Sequence, residues 1–247
     1  MSGTLRDALF ADYRQGQGEI SSAASYADVR SLWPYFDANY GLHFRGLPRT
    51  VGILEVGPGH GSLLAWLRAQ GFERIEGVDA SPGDVQFANG HLGADVVTLG
   101  DAREFLDDRH GAYDVIVMKA VLEHVAKNDL FEVLLAISAA LKPGGFVIID
   151  VPNMDWLLAT HERYMDLTHE VGFTPQSLSS FLRLAFDEIS VVGSQLANPT
   201  RAQRLLREPM IRLIRACLYV LGEGADGALF SSRSLVAVAS KPRAEAH

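Results

Sequence analysis

The sequence predicts an α/β fold: a doubly wound, seven-stranded, mostly parallel sheet with N-terminal helices and a late helical insertion. Short β-rich runs alternate with helical stretches between residues 51 and 185, which is the βαβ pattern of a parallel sheet. Two of these runs, "DVIVM" and "FVIIDV", are almost continuously apolar. Strands have this composition when helices cover both faces of the sheet, so a buried parallel sheet is expected.

The predicted elements follow this plan in chain order. Aromatic and apolar residues over 21–47 predict helix interrupted near Pro34, and with the polar first 20 residues they define an N-terminal helical cap over 1–47. The remaining residues, 48–247, form the α/β domain. Its parallel strands are predicted at 51–56, 74–79, 95–99, 113–118 and 146–151, and its helices at 62–70, 82–89, 130–141 and 176–185.

Two late strands, 188–192 and 234–240, are predicted to complete the sheet. The residues between them include a long helical segment. The sequence therefore predicts an antiparallel edge hairpin with a helical insertion over 196–232.

Composition and charge narrow the function classes. The formal net charge of −8 argues against nucleic-acid binding, which needs a basic surface to displace counterions from phosphates. A small-molecule or glycan substrate fits better. Cys217 is the single cysteine, so no intramolecular disulfide can form, as is usual in a reducing compartment. Because there is neither a signal-peptide pattern nor an apolar run of about 18 residues, a cytoplasmic protein is expected.

The stretch "ILEVGPGHGSLL" places Gly57, Gly59 and Gly61 directly after the first predicted strand. In an open α/β sheet this turn commonly forms the floor of the ligand site, because glycine permits positive φ and close approach of a ligand to the backbone. Dinucleotide sites prefer G-x-G-x-x-G, whereas Ser62 stands here at the third small position. This difference counts against NAD, and an NAD-dependent oxidoreductase is kept as a minor alternative.

Five motifs then point to one family. The spacing E-x-G-x-G-x-G, from Glu55 to Gly61, resembles motif I of the class I S-adenosylmethionine-dependent methyltransferases. The later stretches "RIEGVDAS", "LGDAREFL", "YDVIVMKAVLEHV" and "LKPGGFVIIDVPN" resemble the family's further motifs, in the same order over residues 51–152. By this resemblance the chain is identified as a member of that family, of the bacterial glycan and small-molecule tailoring type, with its Rossmann-like sheet.

The resemblance implies S-adenosylmethionine as cofactor and S-adenosylhomocysteine as product. Glu55 would orient the loop and the methionine ammonium group, and the three glycines would lie under the methionyl and ribose parts. Of the other cofactor-binding residues, Asp79 would hold the ribose, Asp101 and Ala102 would lie at the adenine, and Met118 and Lys119 near the sulfonium. Ala80, next to Asp79, is also expected to bind the cofactor. Since a cation beside a sulfonium is unfavourable, the Lys119 ammonium is expected to point away or to meet a substrate anion.

Methyl transfer to a hydroxyl also requires removal of a proton. The polar segment "HERYMDLTHEVGFTPQSL" follows the fifth strand, and part of it is similar to a segment of bacterial methyltransferases for glycan and secondary-metabolite tailoring. His169 is the predicted general base or substrate orienter, supported by Asp166 or Tyr164. The alternative is that His169 only caps or packs this loop. A metal held by Asp150, Asp155, Asp166 and His169 is a weaker alternative, so no metal is predicted.

Glu123 and His124 lie in the fourth-strand motif and begin a predicted helix. Capping or packing is the favoured interpretation of both residues, ahead of catalysis.

The segment "RAQRLLREPMIRLIRACLYVL", 201–221, carries five arginines and one glutamate in an acidic chain. At 100° per residue the arginines share one helix face, and Pro209 is predicted to kink or divide the helix. Such a helix can bind an anionic membrane surface or an acidic partner, or it can be an ordinary covering helix with solvated arginines. The opposite face is predicted to hold Leu206, Met210, Leu213, Ile214, Cys217 and Leu221.

The predicted function is methyl transfer to a hydroxyl of a sugar or glycan-like acceptor, a lipid-linked one at the inner membrane face included. One alternative is a small aromatic or natural-product acceptor, which predicts a pocket lined by Trp33, Tyr35, Tyr40 and Trp156. Another is a non-catalytic protein that binds the cofactor. The oligomeric state is not predicted.

Overall fold

The structure is a computed structural model that describes residues 29–220 and 229–242. The first 28 residues of the predicted cap, which include the start of the helix predicted over 21–47, lie outside the described residues. The strands are β1 (Gly52–Val56), β2 (Arg74–Asp79), β3 (Val97–Leu99), β4 (Tyr113–Lys119), β5 (Leu141–Pro152), β6 (Phe186–Gly193) and β7 (Ser234–Pro242). The helices are α1 (Trp33–Asn39), α2 (Gly41–Phe44), α3 (Ser62–Ala69), α4 (Pro82–Leu92), α5 (Ala102–Asp107), α6 (Leu130–Ala140), α7 (Ala159–Tyr164), α8 (Pro175–Leu182) and α9 (Arg201–Val220). Short 3₁₀ turns span Arg30–Leu32 and Leu122–His124.

The seven described strands form one sheet in the order β3-β2-β1-β4-β5-β7-β6. The first five run parallel, whereas β7 is antiparallel to both β5 and β6. The predicted fold class is therefore confirmed, including the late antiparallel pair with a helix between its strands. Strand order reverses between β1 and β4, and at such a switch point the carboxyl ends of adjacent strands leave a crevice for a ligand.

Alternate residues of the central strands enter two different hydrophobic layers. In β1, Leu54 packs into the layer that contains Leu134 of α6, while Ile53 packs into the layer that contains Phe36 of α1. All these side chains are almost fully buried. Helices thus cover both faces of the sheet, which explains why its strands read as continuous apolar runs.

Pro34 begins a helix and does not interrupt one, contrary to the sequence prediction. It lies in the first turn of α1, where its missing N–H costs nothing and its fixed φ suits the helix. The break falls instead at Tyr40, between α1 and α2. Phe36 and Tyr40 stack with their ring centroids 5.5 Å apart, and Phe36 meets Trp66 of α3 edge to face. Helix α1 is therefore held on the sheet through aromatic contacts with α3.

Pro209 does not divide α9, so of the two predicted effects, a kink or a division, the division is wrong. The helix is continuous over Arg201–Val220 with Pro209 inside it. The carbonyl that loses its intrahelical partner belongs to Leu205, whose side chain is 74% exposed, so water can satisfy this carbonyl. At the N-terminus of α9, Thr200 and Gln203 form reciprocal hydrogen bonds: Gln203 N donates to Thr200 Oγ1 at 3.2 Å, and Thr200 N donates to Gln203 Oε1 at 2.8 Å. This capping box fixes the start of the helix.

Neighbouring leucines of α6 provide a matched test of the core. Leu134 is fully buried in the layer between α6 and the sheet, whereas Leu135 is 44% exposed. Leu134→Ala is expected to lower the free energy of unfolding by about 2–5 kcal/mol, because it leaves a cavity. Leu135→Ala is expected to change it by less than about 0.5 kcal/mol. Urea unfolding followed by circular dichroism measures both, and equal losses in the two variants would contradict this packing.

Candidate active site

A cleft of about 820 Å³ opens at the carboxyl ends of β1, β2 and β4. The turns that follow these strands supply most of its walls, as expected at the switch point of the sheet. Nine of the ten residues predicted to bind the cofactor line it: Glu55, Gly57, Gly59, Asp79, Ala80, Asp101, Ala102, Met118 and Lys119. Gly61 is the exception.

The three glycines of the turn after β1 all have positive φ, but for different structural reasons. A Cβ on Gly57 would lie 2.3 Å from Cγ2 of Val121, so no side chain fits between the turn and the end of β4. A Cβ on Gly59 would meet no atom within 4 Å, so this glycine leaves the backbone open to the cleft. A Cβ on Gly61 would lie 3.2 Å from the Cβ of Ala88. Gly61 therefore serves close packing of α3 on α4. The sequence analysis had placed it under the ligand, but it does not line the cleft.

Asp79, at the end of β2, orders the same turn. Its carboxylate accepts hydrogen bonds from Gly59 N at 3.0 Å and from Ser81 N at 2.9 Å. Burial raises the pKa of Asp79, and these two backbone bonds oppose the increase. Each carboxylate oxygen can accept more than one bond, so Asp79 keeps acceptor capacity for hydroxyls in the cleft.

Asp101 lies at the cleft as the N-cap of α5. Its carboxylate accepts hydrogen bonds from Arg103 N at 2.8 Å and Glu104 N at 3.3 Å. Sequence analysis had not predicted α5, although an aspartate followed three residues later by glutamate is a helix-start signal. The cap fixes Ala102 at the start of the helix, against the cleft.

Glu55 is the buried acceptor of the cleft. It is 3% exposed, and its Oε2 has no hydrogen-bond partner. Burial raises its pKa to about 8, while the charge of Lys119 opposes this increase. An orphaned acceptor at the wall of the cleft suits a cationic group, such as the ammonium of S-adenosylmethionine. With the open backbone at Gly59, the residues present thus fit that molecule.

Lys119 has counter-charges within the protein. Its charge lowers the pKa of three buried carboxyls, those of Glu55, Glu123 and Asp150. Asp150 is its register partner on the neighbouring strand β5. Lys119 was expected either to point away from the sulfonium or to meet a substrate anion, and these three acids of the chain itself provide negative charge near it.

Two tyrosines of the N-terminal helices meet Asp150. The hydroxyls of Tyr35 and Tyr40 both donate to Asp150 Oδ2, at 2.7 Å and 2.5 Å. Burial raises the pKa of Asp150, and these two bonds together with the charge of Lys119 oppose the increase. Sequence analysis missed this cluster because its partners lie more than 100 residues apart and form no local motif. None of the four aromatic residues proposed for a natural-product pocket lines the cleft.

A second polar cluster, the histidine cluster, lies at the end of the cleft beyond β4. It consists of Glu123, His124, Asp166, Thr168 and His169. Thr168 Oγ1 donates to Asp166 Oδ1 at 2.6 Å and lies 2.8 Å from His124 Nδ1. The rings of His124 and His169 have centroids 4.7 Å apart. His124 lines the cleft and can therefore contact a ligand there. For this residue a role in capping or packing had been favoured over one in catalysis.

Hydrogen bonds determine the pKa of Asp166 and hold the His169 ring in place. Burial raises the pKa of Asp166, but bonds from the hydroxyl and backbone N–H of Thr168 prevail and hold it below its usual value. His169 Nδ1 lies 2.9 Å from the carbonyl oxygen of Glu162, on α7. Asp166 therefore contacts His124 through Thr168.

Backbone hydrogen bonds hold the loop that carries His169 against the turn that follows β4. Glu170 N and Val171 N both donate to the carbonyl oxygen of Glu123, at 2.8 Å and 3.1 Å. Arg163 adds hydrogen bonds to the carbonyl oxygens of His169 and Glu170. Tyr164 is not brought into the cluster: it lies on α7, which sequence analysis had not predicted, and its side chain is 69% exposed.

The side chain of Glu123 completes the cluster. It is 2% exposed, and neither of its carboxylate oxygens has a hydrogen-bond partner. Burial raises its pKa to about 8, its own backbone N–H opposes this increase most strongly, and the smaller effects are an increase from Asp150 and a decrease from Lys119. The carboxylate and the ring nitrogens of His124 and His169 offer ligand atoms within 4.8 Å of one another. This group contains none of the three aspartates that the sequence suggested as metal ligands.

Comparison with known proteins gives a consistent assignment. A family model described as a methyltransferase domain matches residues 34–189. A ubiquinone biosynthesis O-methyltransferase of Chelativorans sp. (strain BNC1) is 31% identical over 155 residues, which cover 59% of this chain and 59% of that protein. One from Caulobacter sp. (strain K31) is 31% identical over 121 residues, 47% of this chain and 45% of that protein. The chain thus spans less than two thirds of the length of these relatives.

Solved structures share the fold. A SAM-dependent methyltransferase from Archaeoglobus fulgidus has a TM-score of 0.66 and 24% identity, with 86% of this chain and 94% of that chain covered. A phosphoethanolamine N-methyltransferase 2 from Haemonchus contortus, in complex with S-adenosyl-L-methionine, has a TM-score of 0.59 and 18% identity, with 98% and 60% covered. At these identities the likeness shows the fold alone.

The glycine turn makes a direct prediction. Gly57→Ala is expected to weaken S-adenosylmethionine binding at least about tenfold, because the new methyl group collides with Val121 and displaces the turn. Gly93→Ala is the control: Gly93 also has positive φ, but a Cβ there meets no atom within 4 Å and does not face the cleft. Isothermal titration calorimetry measures both affinities. Unchanged affinity in Gly57→Ala would rule out this turn as the cofactor floor.

Proposed function

The chain belongs to the methyltransferase domain family, with the fold of the class I S-adenosylmethionine-dependent methyltransferases, and from this premise we propose that it methylates an oxygen of a sugar or glycan-like acceptor. Bound S-adenosylmethionine supplies an activated methyl group on a sulfonium. The observation that carries the choice of acceptor is the histidine cluster, which provides groups that can orient a hydroxyl and handle its proton at the cleft.

The other end of the cleft holds the donor. Glu55 receives the ammonium group, Asp79 accepts hydrogen bonds from the ribose hydroxyls, and Gly59 lets the ligand lie against the backbone. Ala80, Asp101, Ala102 and Met118 complete the walls. A donor held by these residues would share the cleft with an acceptor at the histidine cluster, and holding both reactants in place favours methyl transfer.

Two features support oxygen as the acceptor atom and a polar molecule as its carrier. The curated relatives are named O-methyltransferases. The wall of the cleft contains Phe36 as its only phenyl ring and no tryptophan or tyrosine among the described residues. The aromatic pocket that a natural-product acceptor would favour is therefore not formed by the residues proposed for it, and the cluster of titratable groups suits a hydroxyl-rich acceptor better.

The proposal predicts a separation of binding from turnover. His124→Ala and His169→Ala are each expected to lower kcat about 10²–10⁴-fold, because each removes a group that acts on the acceptor. S-adenosylmethionine affinity is expected to stay within about twofold, since neither residue contacts the donor end. His161→Ala is the control, because His161 is an exposed histidine of the same segment. Release of S-adenosylhomocysteine is measured with sugar, glycan and aromatic hydroxyl acceptors.

Two results would contradict this function. Turnover with aromatic acceptors alone would replace the sugar acceptor with the natural-product alternative. Tight S-adenosylmethionine binding without product from any of the acceptors would favour the non-catalytic binding protein.

Helix α9 supports a further proposal, that the protein docks on an anionic membrane surface and there meets a lipid-linked acceptor. The apolar stripe of α9, which we define as Leu205, Leu206, Met210, Leu213 and Val220, faces away from the other residues that the structure describes, with each of its residues more than half exposed. The half-buried side is formed by Arg207, Ile211, Ile214 and Leu218. Among the described residues, no helix is long and apolar enough to cross a bilayer.

The orientation of α9 disagrees with an ordinary covering helix. Such a helix buries its apolar face, whereas here Arg207 donates to Ser231 and the guanidinium of Arg215 lies 5.6 Å from the Phe230 ring centroid. The predicted apolar face is confirmed only in part, since Ile214 lies on the half-buried side and Leu221 lies outside the described residues.

Charge decides between a membrane and a second copy of the chain as the occupant of the apolar stripe. At 100° per residue, Arg201 and Arg212 lie beside the stripe, and both are exposed. Two copies facing each other would bring these arginines together, whereas anionic lipid headgroups would pair with them while the leucines enter the interface.

Co-sedimentation with liposomes tests the docking proposal. The protein is expected to bind vesicles containing phosphatidylglycerol and not vesicles of phosphatidylcholine alone. Changing Leu206 and Leu213 to Gln, or Arg201 and Arg212 to Gln, is expected to weaken binding at least about tenfold. Phe131 and Leu135, exposed on α6, changed to Gln form the matched control. Absence of binding to anionic vesicles, or dimerisation that the Leu206 and Leu213 changes abolish, would overturn it.

A further inference from the structure

We propose that Glu123, His124 and His169 bind a divalent transition-metal ion, with Zn²⁺ or Co²⁺ as its probes, at the acceptor end of the cleft. This role in catalysis rests on the proposed function, whereas the binding itself does not. The sequence predicted no metal, and the set it considered as the weaker alternative was a different one. The candidate ligand atoms now come from a 3₁₀ turn after β4 and from a loop between α7 and α8.

Both histidines are held in the tautomer that a metal ligand requires. The carbonyl of Glu162 can only accept, so His169 Nδ1 carries the proton and its Nε2 carries the lone pair. The Thr168 hydroxyl donates to Asp166, so it accepts from His124 Nδ1, and again the lone pair is on Nε2. A metal-bound histidine usually donates its other ring N–H to a carbonyl oxygen, or to a group that is itself linked to a carboxylate.

Glu123 supplies the negative charge. Its carboxylate is almost completely removed from solvent, and both of its oxygens lack a partner. An unpartnered buried carboxylate is costly unless a ligand compensates it. The ligand atoms of the three residues lie within 4.8 Å of one another, whereas ligands of one Zn²⁺ at about 2.1 Å are about 3.5 Å apart.

The donor set identifies the class of cation. Two imidazoles and one carboxylate suit Zn²⁺, Co²⁺ and neighbouring first-row ions, whereas Mg²⁺ prefers a site made mostly of oxygen ligands. Three protein ligands also leave a coordination position open, as in catalytic metal sites and unlike closed structural ones. Since His124 lines the cleft, an acceptor hydroxyl in the cleft can reach that position.

In this arrangement the cation takes over the activation of the acceptor, and the imidazoles act as ligands instead of bases. Coordination lowers the pKa of the hydroxyl, and its proton passes to water. The acceptor oxygen then forms a bond to the methyl carbon while the carbon–sulfur bond breaks, and the bonding electron pair stays on sulfur. The products are the methyl ether and S-adenosylhomocysteine.

Metal titration tests the site without reference to turnover. The full chain, stripped with EDTA, is titrated with Co²⁺ by visible absorption and with Zn²⁺ by calorimetry. One equivalent is expected to bind. Glu123→Gln and His169→Ala are expected to weaken binding at least about 100-fold, and Thr168→Val about 10- to 100-fold through the orientation of His124. His161→Ala is the matched control and is expected to bind as the wild type does.

The outcomes separate this inference from the proposed function. Retained S-adenosylmethionine affinity and circular dichroism in Glu123→Gln show that the variant is folded. Absence of stoichiometric binding in the wild type, or equal binding in Glu123→Gln and His169→Ala, overturns the metal site. Metal binding with turnover unaffected by EDTA overturns its catalytic role. Metal binding without methylation of any hydroxyl acceptor contradicts the proposed function and leaves the site standing.

Discussion

Three buried carboxyls around one lysine are the constraint on which the functional end of this sheet depends. Glu55, Glu123 and Asp150 come from the carboxyl ends of β1, β4 and β5 or directly after them, and Lys119 is the cation that lowers the pKa of all three. Burial raises the pKa of each acid, and a single positive charge is not enough to offset this increase at all three. The three acids differ in the hydrogen-bond partners that their carboxylates have.

Asp150 is satisfied within the chain, by the hydroxyls of Tyr35 and Tyr40, and this contact anchors α1 to the sheet. Glu55 and Glu123 each keep carboxylate oxygens without a partner. Buried acceptors of this kind are rare unless a ligand completes them. These two acids belong to the two proposed cationic sites, Glu55 to that of the ammonium group and Glu123 to that of the metal ion.

Sequence reasoning succeeded where the signal is local. Continuous apolar runs identified the buried strands, and the glycine turn with Asp79 located the cleft, because strand period and turn chemistry act over a few residues. It failed where a role depends on distant partners. Gly61 is required by Ala88 of another helix, and Tyr40 by Asp150, 110 residues away. The contact of His124 with Thr168, 44 residues further along the chain, likewise leaves no local signal in the sequence.

The histidine cluster and the donor end are mechanically linked, and this bears on how the reaction is positioned. The backbone of Glu170 and Val171 is bonded to the carbonyl of Glu123, in the turn that follows β4. The same stretch of chain contains Val121, which leaves no room for a side chain on Gly57. The acceptor loop and the glycine turn therefore both contact the short stretch of chain that follows β4. The proposed donor and acceptor ends of the cleft are thus built on one framework, which suits a reaction that depends on alignment of three atoms.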